Sequence, residues 1–344
     1  MRCSRGLVQE FAAARSAEYF TAPDTELLGE MTKNFVGRGK YLRSTLGYLG
    51  WLCGQPESPA AVSATASLEL LHAFALVQDD VMDDSTSRRG AASVHEQLAA
   101  WARTTGKVEH PAKFGESAAV LLADLFLVWS ERMLRECGLP DEALRRAWPI
   151  FDLLRNELAV GQFSDLLNEN PLTAELDAVL DVARRKSGNY SVRRPLELGA
   201  SLAGCTPHVM TALQRYGSAI GEAFQLRDDL LGVFGDPATT GKPLGDDLRQ
   251  HKASTIIVAA RNLADDAQVQ QMRVLAKTQP ASSYDEQVWI ADWQNLISSC
   301  GAIGWAEDRI DALVDEAQTA VDSIAELPRE VLLRVADQCT RRQH

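Results

Sequence analysis

From Ala61 to Met82 the chain reads AVSATASLELLHAFALVQDDVM, followed by Asp83 and Asp84. Apolar residues recur at the three-to-four spacing of a helix face, and the run then breaks into carboxylates. The same periodicity runs through 116–136, 144–167 and 209–232. Strand-like alternation is rare, and Ala and Leu outnumber β-branched residues in these stretches. The pattern predicts an all-α chain of roughly ten or more helices, at the usual helix length of about 11–12 residues. Gly, Pro and polar clusters mark loops at 54–60, 104–116, 168–172, 235–247 and 277–287. None has the look of a linker, so 344 residues are read as one large helical domain, 1–344. Pro149 and Pro195 fall inside helical patterns and are expected to kink or break them.

Composition narrows the function classes. A hydrophobic content of 46% supplies a large core. A net charge of −12 argues against a nucleic-acid partner, because phosphate backbones want a basic surface. An acidic chain that handles phosphates needs metal ions or a local basic pocket. The six cysteines, Cys3, Cys53, Cys137, Cys205, Cys300 and Cys339, form no CxxC pair. They are read as reduced thiols of a cytoplasmic protein. No apolar run is expected to span a bilayer. The first residues, MRCSRGLVQEFAAARSAEYF, hold no clean apolar signal core, and Glu10 and Glu18 weaken a transit-peptide reading.

Asp79 and Asp83 stand at i, i+4 and share a helix face with Asp80 beside them. Like charges at that spacing repel, so the arrangement makes sense if Mg²⁺ sits among the carboxylates with substrate phosphate and water. A solvated, frayed helix end is the other reading, and Asp84 looks like the solvated member. Arg88 and Arg89 follow, and guanidinium forks suit phosphate oxygens; as surface ion pairs they would be worth little. A second apolar helix ends in EAFQLRDDLLGVFGD, with Asp228 and Asp229 but Gly232 where a third acid would fall. Lys242, Asp246, Asp247 and Lys252 come after it. If the two acidic helix ends face each other, the cavity between them can hold a metal–diphosphate cluster.

In collinear order over roughly 35–255, the chain resembles the trans-isoprenyl diphosphate synthases, or polyprenyl synthetases. GRGKYLR (37–43) is similar to the family's isopentenyl-diphosphate-binding segment and supplies Lys40 and Arg43. LLHAFALVQDD places His72 at the family's polar position. DDVMDDSTSRRG matches the first aspartate-rich motif through Asp79, Asp80, Asp83, Arg88 and Arg89. GQFSDL gives Gln162 and Asp165, and RKSGNYS gives Lys186 and Ser187. FQLRDDLLGVFGD resembles the second aspartate-rich motif and gives Gln225, Asp228 and Asp229; GKPLGDDLRQHK gives Lys242, Asp247 and Lys252. Two departures stand out: Gly232 removes the third carboxylate of the second motif, and Ser44 replaces a usual proline.

The resemblance implies the isoprenoid synthase fold, a single helical bundle around a central cavity, working as a homodimer. It implies head-to-tail condensation of isopentenyl diphosphate with an allylic prenyl diphosphate. Three Mg²⁺ per site, on Asp79, Asp80, Asp83, Asp228 and Asp229, would neutralise the leaving diphosphate with help from Arg88, Lys186 and Lys242. Ser187 and Gln225 would face the allylic cation. Lys40, Arg43, His72 and Arg89 would hold isopentenyl diphosphate without metal; Gln162, Asp165 and Lys252 complete the expected substrate contacts. A growing tail would run back along the helix that ends in Asp79. Ala75 and Phe74 lie about 6–7.5 Å up that axis. Small Ala75 leaves room and Phe74, with Leu71, forms a floor, which points to geranylgeranyl diphosphate. Farnesyl or longer-chain synthesis, a class I terpene cyclase and a non-catalytic subunit of a heteromeric synthase are the alternatives.

Overall fold

A computed structural model describes residues 2–88, 90–167, 170–236, 244–249, 252–278 and 280–341. Arg89 and Lys242 therefore lie outside the described residues. Helices dominate, as expected: α1 (Arg2–Tyr19), α2 (Glu26–Val36), α3 (Leu42–Leu52), α4 (Pro59–Met82), α5 (Val94–Thr105), α6 (Pro111–Arg135) and α7 (Asp141–Leu167). After α8 (Leu176–Val182) comes a π-helical stretch, Ala183–Arg193, then α9 (Arg194–Ala203) and α10 (Pro207–Phe234). Shorter helices and the long Ser283–Ser299, Ala302–Ala320 and Glu326–Thr340 helices follow. Among the described residues the strands are two antiparallel pairs of residues, Ser87–Arg88 and Ala91–Ala92. By contacts the chain divides into two units, Met1–Ala147 with Leu198–Gly204, and Trp148–Glu197 with Cys205–His344.

In the first unit α4 is the core helix. Ser58 caps it by accepting the Ala61 N–H at 3.3 Å, and Pro59 occupies the first turn, where its missing N–H costs nothing. Its Ala, Ser and Thr positions let neighbours come close: a Cβ on Gly47 of α3 would lie 3.0 Å from Thr65. Leu68, Leu70, Leu71 and Val77 are buried, each contributing about 1.5–3 kcal/mol. An aromatic layer of Phe20, Phe35, Phe126 and Trp129 lies in the same core.

The expectation that no apolar run reaches membrane-spanning length needs correcting. Pro59–Met82 has 24 residues, and an 18-residue stretch of it has a mean hydropathy of 1.6, long and apolar enough to cross a bilayer. Its apolar surface is spent on protein instead, since eleven of its residues are buried in the first unit.

In the second unit α10 is the core helix, packed by the π-helical stretch and by Ala302–Ala320 and Glu326–Thr340. Tyr216 Oη donates to Leu332 O at 2.7 Å. Arg227 pairs with both oxygens of Glu307 at 2.7 and 2.6 Å, and Glu222 accepts Arg184 at 2.9 Å and also Arg309. The two prolines differ from each other. Pro195 falls at the start of α9, where the π-helical stretch ends. Pro149 lies inside α7, which runs through it unbroken. A helix of 27 residues keeps enough of its hydrogen bonds to tolerate one lost donor.

Candidate active site

The first acidic cluster is shaped by how α4 ends. Asp83 N–H bonds Asp79 O at 2.8 Å, and Asp84 takes a left-handed conformation with φ 51°. Ser85 N–H then bonds back to Asp80 O at 2.9 Å. Past this reversal, Gly90 (φ 74°) serves the tight turn between the strand pairs, whose register sets Arg88 opposite Ala91. Arg88 thereby returns to the carboxylates. Its Nε donates to Asp80 Oδ1 at 2.7 Å, and a terminal nitrogen reaches Asp79 Oδ2 at 3.2 Å and also Asp80.

Asp80 is fully buried. Burial pushes its carboxyl up, against the pull of Arg88 and of nearby His95. Burial works to lower Arg88, but the bonds and charges of Asp80 and Asp79 outweigh it and hold the guanidinium above its usual range. Asp80 Oδ2 is buried without a hydrogen-bond partner among the described residues. Asp79 and Asp83 are partly accessible and Asp84 is exposed. An orphaned carboxylate oxygen among hard oxygen donors suits Mg²⁺.

The basic segment of the same unit is built on a strained turn. Tyr41, at φ 54°, is a non-glycine residue in the left-handed region and is buried. Its carbonyl accepts Thr45 Oγ1 at 2.7 Å and Ser44 Oγ at 3.1 Å, and its hydroxyl donates to Val36 O. Ser44 N–H donates to Glu69 Oε1 at 2.9 Å. A water-sized cavity is lined by Arg38, Tyr41, Glu69, His72 and Leu76, so His72 does stand beside the basic turn. Lys40 is exposed and Arg43 partly so.

Sequence reasoning passed over Arg5. Its guanidinium donates to Gly39 O at 3.0 Å and lies 5.2 Å from the Tyr41 ring centre, a cation–π distance. No motif flags it. Glu69 was findable, being three residues before His72 on one helix face.

In the second unit, α7 comes close to the π-helical stretch. A Cβ on Gly161 would lie 2.8 Å from Lys186 N. Two expected residues meet there, as Lys186 Nζ donates to Asp165 Oδ2 at 2.6 Å. Gln162 Nε2 is buried without a partner among the described residues. Ser187 is partly buried, and a Cβ on Gly188 would sit 2.8 Å from the Gly221 backbone.

At the end of α10, Asp229 is buried. Its Oδ1 accepts Gln225 Nε2 at 2.6 Å and its Oδ2 accepts Thr255 N–H at 2.8 Å. Burial, reinforced by the Asp247 charge, pushes the Asp229 carboxyl up to about 7 against those two hydrogen bonds. Asp228, one residue earlier, is partly accessible. Lys252 lines an open cavity of about 330 Å³ with Lys277, Asn170 and Trp293. Leu71 is fully buried, Phe74 packs partly buried against the first unit's core, and Ala75 is partly accessible.

The family model for polyprenyl synthetase matches residues 25–291. A geranylgeranyl diphosphate synthase of Mycobacterium tuberculosis is 31% identical, over 83% of this chain and 76% of that protein. An octaprenyl diphosphate synthase of Escherichia coli is 28% identical, over 91% of this chain and 89% of that protein. The solved structure of a geranylgeranyl pyrophosphate synthase from Corynebacterium glutamicum, complexed with isoprenyl diphosphate and magnesium, superposes with a TM-score of 0.90. It is 34% identical, over 98% of this chain and 97% of that one. The fold is therefore the isoprenoid synthase fold, and the chain belongs to the polyprenyl synthetase family of trans-prenyltransferases.

Proposed function

We propose that the protein condenses isopentenyl diphosphate head-to-tail with dimethylallyl, geranyl or farnesyl diphosphate and releases geranylgeranyl diphosphate. The observation that carries this reading is the buried, arginine-clamped carboxylate cluster at the end of α4, with an Asp80 oxygen left for a cation.

Asp79, Asp80, Asp83, Asp228 and Asp229 would hold Mg²⁺, three ions per site. Bound Mg²⁺ would supply charge neutralisation for the departing diphosphate. Arg88, Lys186 and Lys242 add positive charge to that leaving group. Lys40 and Arg43, on the turn that Arg5 and Glu69 brace, hold the diphosphate of isopentenyl diphosphate together with His72 and Arg89. The alkene carbon bonds the allylic carbon as the C–O bond to diphosphate breaks, and the released diphosphate takes the proton lost from the adduct. Ser187 and Gln225 orient their dipoles toward the electron-poor carbon while apolar side chains exclude water. Gln162, Asp165 and Lys252 complete the substrate contacts. Phe74 and Leu71 form the floor for the tail, with Ala75 leaving space above it.

We further propose that residues 1–344 form one catalytic domain of a cytoplasmic homodimer. Cysteines without disulfide bonds among the described residues support the compartment, and the exposed Val120, Leu121 and Val128 of α6 support the dimer.

The test is product mass after incubating the purified chain with Mg²⁺, isopentenyl diphosphate and each primer in turn. Geranylgeranyl diphosphate from all three is the expected result. No elongation from any primer overturns the reading and revives the non-catalytic subunit. Consumption of a long prenyl diphosphate alone would instead mark a terpene cyclase.

A further inference from the structure

Lys40 stands between two residues with unusual backbones. Gly39 lies at φ 127° and Tyr41 at φ 54°, so the chain on either side of Lys40 sits where ordinary side chains rarely settle. Such a conformation persists only where its surroundings fix it. Arg5 does this from outside the motif. One terminal nitrogen donates to Gly39 O at 3.0 Å, and the guanidinium carbon lies 5.2 Å from the centre of the Tyr41 ring. A single side chain thus grips both neighbours of Lys40.

The helix that carries Arg5 is a fixed base. Val8 and Ala12 of α1 are fully buried, in the core that also holds Val36, Tyr41 and Ala73. Gln9, one helical turn after Arg5, passes beside the start of the basic segment: a Cβ on Gly37 would lie 2.9 Å from its Nε2. Arg5 itself is exposed, so the stability of the chain depends little on it. Its flat guanidinium bonds the carbonyl and stacks on the ring at once, which a compact ammonium does less well.

We propose that Arg5 is a positioning residue for isopentenyl diphosphate: it fixes the backbone on both sides of Lys40, so that Lys40 and Arg43 meet the diphosphate already ordered. A turn ordered in advance loses less conformational freedom on binding. The inference rests on the reading that the 37–43 turn receives isopentenyl diphosphate.

Steady-state kinetics of the full chain in saturating Mg²⁺, varying each substrate in turn, test it, with circular dichroism as the check on folding. Arg5→Ala should raise KM for isopentenyl diphosphate about tenfold, the combined worth of a charged hydrogen bond and an exposed cation–π contact. The KM for the allylic diphosphate and kcat should be unchanged. Arg5→Lys should recover part of the loss. Tyr41→Leu removes the ring, and the double variant R5A/Y41L should lose less than the product of the two single effects, because both act on one turn. An unchanged KM for isopentenyl diphosphate in Arg5→Ala, an equal rise for both substrates, or single effects that multiply in the double variant overturns the proposal. Lys40→Ala separates the two levels. If it leaves KM for isopentenyl diphosphate unchanged, the reading of the turn falls and this inference with it. If it raises that KM while Arg5→Ala does not, only the role of Arg5 falls.

Discussion

Ser44 shows how one residue can trade a family habit for a local bond. Its N–H donates to Glu69 Oε1 at 2.9 Å, and a proline would remove that donor. Ser44→Pro should therefore destabilise this chain by about 1–3 kcal/mol, the range for losing a partner of a partly buried acceptor; urea denaturation measures it. At the end of α4 the two outer aspartates part company. Asp79 meets Arg88 at 3.2 Å, whereas Asp84 is exposed in a left-handed turn. Asp79→Ala should cost about 10²–10³-fold in turnover, as for loss of one aimed charge-stabilising group. Asp84→Ala should stay near the natural rate, and steady-state assays in Mg²⁺ compare the two. Equal losses would mean that the wrong carboxylates have been assigned to the metal.

The π-helical stretch Ala183–Arg193 carries this logic up to the element. Such stretches are uncommon and turn up often at functional sites. Here one presents Lys186 and Ser187 and packs on α10 through the Gly188–Gly221 approach. Gly188→Ala would press a methyl within 2.8 Å of the Gly221 backbone. The expected cost is about 1–3 kcal/mol, with a lower midpoint in urea and weaker allylic substrate binding. On the proposed function, the level of Phe74 along α4 sets the length available to a tail. Phe74→Ala should give longer products, read by chromatography of the dephosphorylated alcohols. An unchanged product would leave Phe74 as plain core, which its packing against the core of the first unit also allows.

At the scale of the molecule the outer face of α6 is the feature in need of a partner. Val120, Leu121 and Val128 are exposed there at helical spacing, with Leu121 at 66%. Apolar residues grouped on one face mark an interaction surface more often than scattered ones do. Leu121→Asp should shift a dimer toward monomer, measured by sedimentation, with the helical circular dichroism signal kept. Sedimentation unchanged by this substitution would place the interface elsewhere.

The amino-acid order alone determined the helices, because period-3.6 patterning and a cap such as Ser58 act within a few residues. It also supplied the candidates for the proposed site: Asp79, Asp80, Asp83, Arg88, Lys186 and Asp228 can all be named from spacing and resemblance. Only the tertiary structure decided that Arg88 grips Asp80, that Lys186 meets Asp165, and that Arg5 braces the basic turn. Those pairings join residues whose neighbourhood is set by packing across the chain. No local period or propensity encodes which distant side chain a backbone will bring to within hydrogen-bonding reach.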